Sequence, residues 1–199
     1  AYNSWRDWRD RAIINGSQPS IAVQTVTQAA KTADSAAEAP AVEIVEITRL
    51  SDRSSGRRFG ALVHAVLASV PLDGDLSAVR NLATVHGRIL GATKDEIASA
   101  ADAVRTALAH PIFRAARAAQ EEGRCRREVP IAWCDANGYL IEGVVDLAFE
   151  TGEAWTVVDF KTDEEFGEND LAYRRQVAMY GSAIQAALGR PVSTILMRI

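Results

Sequence analysis

The sequence predicts an α/β domain built on a central mixed sheet, part of it an antiparallel meander, with helices flanking it. Three observations carry this. Between Phe59 and Ala119 the apolar residues recur at helical spacing. From Arg127 to Thr162 they alternate or run in short pieces, cut by Asn137-Gly138 and by Thr151-Gly152-Glu153. Helical patterning then returns at Leu171–Leu188 and ends at Gly189 and Pro191, before a last apolar run, Val192–Ile199. The order is helices, meander, helix, strand.

Taken along the chain, residues 2–14 place Trp5, Trp8 and Ala12 at helical spacing with arginines between them. Two tryptophans on a short polar helix need a surface to pack on, either in this domain or in a neighbour. Residues 16–41 are rich in Ala, Ser, Thr and Gln, carry Pro19 and Pro40, and lack a sustained period. They read as a linker or loose arm. The compact part is expected to begin at Val42, so the division is 1–41, a helix plus an Ala/Ser-rich arm, and 42–199, the main domain. Residues 42–50 are a short strand or extended arm. Phe59, Leu62, Val63, Val66, Leu67 and Val70 mark an amphipathic helix. Residues 77–90 are a second helix, and Lys94–Ala119 one or two more, interrupted at Pro111. Strands follow at 127–134, 139–149 and 155–161. Asn137-Gly138 between apolar runs is a hairpin signal. A loop of four residues, 151–154, sets Glu150 opposite Trp155 and therefore Asp146 opposite Asp159.

Composition excludes several classes. The chain has 199 residues, 48% of them apolar, enough for a substantial core. Its net charge of −4 offers no broad basic surface, so a nucleic-acid substrate must be held locally or delivered by another domain. Two cysteines, Cys125 and Cys134, are too few for a four-thiolate metal site and read as unlinked thiols in a reducing cytoplasm. No apolar run approaches the roughly 20 residues of a membrane span. The chain opens without Met or a signal-peptide pattern and reads as a piece of something larger.

The segment GVVDLAFETGEAWTVVDFKTD (143–163) raises the chemical question. Asp146, Asp159 and Lys161 stand inside its two strands, where charge is costly unless paired or ligating a metal. In the register above, the two carboxylates and the amine lie side by side on one face. Carboxylates opposite one another, about 5 Å apart, repel unless a cation sits between them. A hard divalent ion such as Mg2+ suits that pair. Lys161 would face the ion's water and the substrate, where it can orient that water or stabilise phosphate charge. The alternative is a solvated ion pair of Lys161 with either aspartate. Gln176 and Tyr180 share one face of the last helix, His64 flanks the apolar stripe of the first core helix, and Glu128 precedes Pro130. Each of these alone is an ordinary helix or strand residue.

Together, and in this order, they resemble a known pattern: the RecB/AddA-type nuclease domain of the PD-(D/E)xK superfamily, found at the C-terminal end of helicase–nucleases. The residues that carry the likeness are GALVHAVL with His64, EVP with Glu128, GVVD with Asp146, DFKT with Asp159 and Lys161, and QVAMY with Gln176 and Tyr180. Val145 stands where the superfamily motif has proline, and the four-cysteine cluster of AddB-like relatives has no counterpart. The match spans roughly residues 56–199. It implies a restriction-endonuclease-like core and metal ligands at His64, Asp146 and Asp159, with the Phe160 carbonyl as a fourth. It implies a catalytic role for Lys161, a supporting one for Glu128, and Gln176 and Tyr180 beside the substrate.

The function these readings predict is a Mg2+-dependent deoxyribonuclease, with Mn2+ or Ca2+ as stand-ins in vitro. It would work in the cytoplasm within an ATP-dependent helicase–nuclease that processes double-strand-break ends for recombinational repair. Its partners would be single-stranded DNA delivered by the motor, the helicase domains and a partner subunit. Arg53, Arg57, Arg58, Arg174 and Arg175 offer a local phosphate track or ordinary solvated charge. The rival functions are an inactive DNA-binding or scaffolding module of the same fold, and a free-standing exonuclease.

Overall fold

A computed structural model of the chain describes residues 2–17, 19, 21–32, 40–47, 54–162 and 166–199. Among these, the elements run α1 (Tyr2–Ser17), β1 (Val23–Thr25), α2 (Val26–Thr32), β2 (Glu43–Glu46), α3 (Arg57–Ser69), α4 (Leu76–Leu90), α5 (Lys94–Leu108), α6 (Pro111–Glu121), β3 (Cys125–Cys134), β4 (Leu140–Thr151), β5 (Ala154–Lys161), α7 (Phe166–Leu188) and β6 (Val192–Arg198). The six strands form one mixed sheet in the order β1-β4-β5-β6-β2, and β3 pairs with β4 as well. The meander β3–β4–β5 is antiparallel. β6 returns parallel to β5 by way of α7, and β2 runs parallel to β6. This is the predicted α/β architecture.

Two helical layers enclose the sheet. On one face α3 to α6 supply Phe59, Leu62, Val66, Val104 and Phe113, which pack with Leu147, Phe149, Val158 and Met197. On the other, α2 and α7 supply Val26, Tyr180 and Ile184 against Ile141, Val145, Ala148 and Val157. The helix boundaries have local causes. Asp75 caps α4 by accepting from the Ala78 amide at 2.8 Å. Thr93 and Glu96 form a capping box on α5. Pro111 at the first turn of α6 accounts for the break after α5. No described helix is long and apolar enough to cross a membrane. Cys125 and Cys134 are free thiols.

The structure departs from the sequence reading in three places. Residues 23–32, expected within a loose arm, are part of the fold. β1 runs parallel to β4 with Val23 beside Leu140 and Thr25 beside Glu142, and Val26 and Ala30 of α2 are buried. Three strand residues and seven helical ones are too few to display a period. The β4–β5 turn is tighter than expected, since Thr151 itself pairs with Ala154. Gly152, at φ 63°, supplies the left-handed residue that so short a turn needs. The predicted pairing of Glu150 with Trp155 is kept. Finally α7 starts at Phe166, a turn and more before Leu171. α1 forms as expected but buries none of its residues, and Trp5 and Trp8 are exposed.

If α2 belongs to the folded unit, a charge at its buried face must be expelled. Val26→Asp should lower the unfolding free energy by about 3 kcal/mol, measured by urea denaturation. A change within about 0.5 kcal/mol would mean that α2 does not dock.

Candidate active site

The site forms where β4 changes partner. Along one edge, β4 pairs with β1 at Leu140–Glu142 and with β5 only from Leu147 onward. Gly143 to Asp146 fall between these two ladders. Asp146 uses the gap: its Oδ2 accepts the Phe160 backbone N–H at 2.7 Å, so a side chain replaces the missing ladder bond between β4 and β5. Leu147 faces Val158, which sets Asp146 against Asp159. On the other edge Arg127 faces Leu147 and Val129 faces Val145, which sets Glu128 against Asp146. Three carboxylates thus stand in one row across three strands.

The strands also turn over at that row. Val145 and Ala148 pack into the α7-side cluster, whereas Leu147 and Phe149 pack into the α3-side cluster. Strict alternation slips by one residue at Asp146. On β3, the Arg127 guanidinium donates to the Leu67 and Val70 carbonyls at the end of α3, while Val129 packs on the α7 side. Glu128 between them has φ 51°, an uncommon left-handed conformation for a non-glycine residue. Bulge-like irregularities of this kind re-aim side chains.

Helices from both layers converge on the row. From α3, His64 Nδ1 lies 3.3 Å from Asp146 Oδ1. Its ring meets Phe160 edge-on, with centroids 6.0 Å apart. The approach of α3 depends on Gly60, where a Cβ would lie 2.6 Å from Thr162 Oγ1. From α7, Gln176 Nε2 donates to the Tyr180 hydroxyl at 3.1 Å, and both residues are buried. A Cβ at Gly143 would lie 2.8 Å from both Tyr180 and Val26, so this glycine lets α7 and α2 close on the fork. Lys161 is ion-paired to Asp159 Oδ2, and its ammonium lies 5.1 Å from the centroid of the Tyr173 ring.

Burial decides the electrostatics. Asp159 is 2% exposed. Desolvation pushes its carboxyl above the usual range, against the opposing pull of Lys161, and the Asp146 charge pushes the same way as burial. Desolvation pulls Lys161 down, but the Asp159 charge and hydrogen bond outweigh it and hold the ammonium. Burial and the Asp146 charge raise Glu128. For His64, burial lowers the pKa, yet the hydrogen bond and charge of Asp146 overcome it and the net shift is upward.

The predicted residues His64, Glu128, Asp146, Asp159, Lys161, Gln176 and Tyr180 are therefore brought to one place. Phe160 contributes its amide to Asp146, and its ring faces the helical layer. The donor chemistry, an imidazole and two carboxylates, is of a kind that divalent cations take. Among the described residues no three His, Cys, Asp or Glu side chains form a ready ligand array; Asp159 is engaged by Lys161, and Asp146 by His64 and the Phe160 amide. Two arginines of the expected track are already paired. Arg58 pairs with Glu96 and Arg174 with Asp170, and Arg53 lies outside the described residues. Sequence reasoning missed two contributors. Thr162 seats Gly60, and its signal was its place directly after Lys161. Tyr173 faces the lysine, and its signal was its spacing of three and seven residues before Gln176 and Tyr180, on the same helical face.

A mixed sheet between helical layers, with carboxylates and a lysine gathered where two strands part, has the architecture of a nuclease core. The sequence matches the PD-(D/E)XK nuclease superfamily over residues 26–199, and the chain belongs to that superfamily. It is also 32% identical over 62 residues to an ATP-dependent helicase/nuclease subunit of Desulforamulus reducens. That stretch is 30% of this chain and 5% of the relative, so the chain spans only a small part of that protein's length.

The raised pKa of His64 carries a sign that can be checked. A histidine whose folded pKa exceeds its unfolded value stabilises the fold fully below the unfolded pKa, 6.5, and loses that contribution as pH rises through the folded value. The metal-free domain should therefore lose stability above pH 6.5. NMR titration of the His64 ring should give a value above 6.5 in the native chain. In Asp146→Asn it should fall, because burial and the Lys161 charge are then opposed only by the weaker pull of Asp159. An unchanged titration would remove Asp146 as the partner.

Proposed function

We propose that this domain is a divalent-metal-dependent deoxyribonuclease that hydrolyses phosphodiester bonds. The observation that carries the reading is the juxtaposition of Asp146, Asp159 and Lys161 at the strand fork, with His64 closing one side. His64, Asp146, Asp159 and the Phe160 carbonyl would hold the ion, Mg2+ in the cell and Mn2+ or Ca2+ in vitro. A bound divalent ion supplies Lewis acidity there, lowering the pKa of water and offsetting the charge that builds on the phosphate. The chain's own residues do the rest. Asp146 is fixed in orientation by the Phe160 amide. Lys161, freed from Asp159, places a positive charge at the phosphate and orients the attacking water. Tyr173 faces that ammonium and limits where it can go. Gln176 and Tyr180 form a buried hydrogen-bonded pair beside the substrate. Glu128, held out of regular strand geometry, supports the row and can take up a proton.

The relative's name, with the resemblance to the RecB/AddA type, supports a place in a helicase–nuclease. There a motor would feed single-stranded DNA to this domain during the processing of broken ends in the cytoplasm. The acidic net charge is consistent with a substrate brought by a neighbour. The exposed tryptophans of α1 are consistent with a tether to such a neighbour.

Saturating Mn2+ should raise the melting temperature of the native domain, since a ligand at about 100 times its Kd adds about 2.7 kcal/mol. Asp146→Asn should lose most of that shift and lower single-strand cleavage at least about a hundredfold. Asp159 is better tested together with its partner, as Asp159→Asn/Lys161→Gln, because removing the carboxylate alone strands a buried ammonium. Full Mn2+-dependent cleavage by either variant would reject the assignment.

A further inference from the structure

Beside the carboxylate row lies a groove of about 590 Å3, within the usual size of small-ligand pockets. Its walls come from the β1–α2 junction (Thr27), β3 (Pro130, Ala132) and β4 (Glu142, Val144), with Tyr180 among them. It adjoins the site through Tyr180, the residue that Gln176 binds. Gly143, which packs closely on Tyr180, lines the groove, and Val144 is two residues from Asp146. Among the described residues that line it there is no Lys or Arg, and Glu142 is the one charged residue. The apolar wall is open: Val144 is 44% exposed, and Pro130 and Ala132 are exposed too.

We propose that this groove receives one unpaired nucleobase of the strand being cut. The proposal rests on the nuclease reading and deepens it by assigning the part of the substrate that enters this cavity. Charge decides which part that is. A phosphodiester would meet only Glu142 and no counter-ion, so the backbone stays over the carboxylate row, where a cation and Lys161 can meet it. What fits an apolar slot with a few polar groups is the flat, uncharged base. β3, β4 and the β1–α2 junction flank the groove, so a base can lie flat against Pro130 and Val144 only when it is unpaired and unstacked. A duplex would have to open first. Selection for single strands then resides in the domain itself, and does not depend only on what a motor delivers.

The test uses labelled oligothymidylate carrying one abasic residue, cut in Mn2+, with the cleavage sites mapped along the strand. The native chain should skip one bond at a fixed offset from the abasic residue, with cleavage there about tenfold lower. Val144→Trp and Ala132→Trp each fill the groove from an exposed position outside the catalytic cluster. Each should cut all bonds evenly, at about the rate the native chain shows at the skipped one. No skipped bond in the native chain, or a skip that persists in both variants, overturns the proposal. If the native chain cuts nothing, the hydrolase reading fails and affinity decides the groove. Fluorescence anisotropy in Ca2+ should then find an all-abasic oligomer bound about tenfold more weakly than oligothymidylate by the native chain, and equally by the filled variants. Equal native affinities would sink it.

Discussion

The constraint on which the structure turns is that one edge of β4 serves two neighbours in succession. β1 takes its first three residues, β5 takes its last five, and the residues between have no ladder partner on that side. A buried backbone amide left by such a gap must be paired, and Asp146 pairs it through Phe160. The carboxylate is thereby held in the plane of the sheet, between a helical layer that brings His64 and another that brings Gln176 and Tyr180. The acidic side chains gather where regular hydrogen bonding fails, because the gap leaves room for a side chain to sit between strands.

The charges in this gap are held in tension. Burial raises the pKa of Asp159, and Lys161 is kept charged chiefly by Asp159, with Asp146 adding to the pull. Such a pair gains little for folding, since desolvation consumes much of the attraction. It does keep an amine and a carboxylate dry, adjacent and ready to exchange partners. A cation arriving at Asp159 would compete with the ammonium, so binding of the ion and release of the lysine are expected to be linked.

Much of this was legible from local pattern. The meander was readable because Asn137-Gly138 and Gly152 punctuate alternating runs, and the pairing of Glu150 with Trp155 fixed which residues face each other even though the turn itself is shorter. The helices were readable from their apolar stripes and from Pro111. What could not be read was non-local or irregular. β1 and α2 are too short to carry a period and gain their order from a strand more than a hundred residues away. The slip in alternation at Asp146 and the left-handed backbone at Glu128 contradict the simple two-residue rule, and nothing in the residue types announces them. The partner of Lys161 is Asp159 while Asp146 is taken by His64 and the Phe160 amide, a division set by packing.

The Phe160 ring points away from the carboxylates and stacks on Phe113 of α6, with centroids 5.6 Å apart and planes at 18°, while its edge meets His64. One aromatic side chain thus ties α6 to the strand whose amide holds Asp146. The four-helix layer is not ornament around a minimal sheet. Any attempt to trim this protein to a smaller module has to keep α6, or replace the flat surface against which the backbone of the fork is braced.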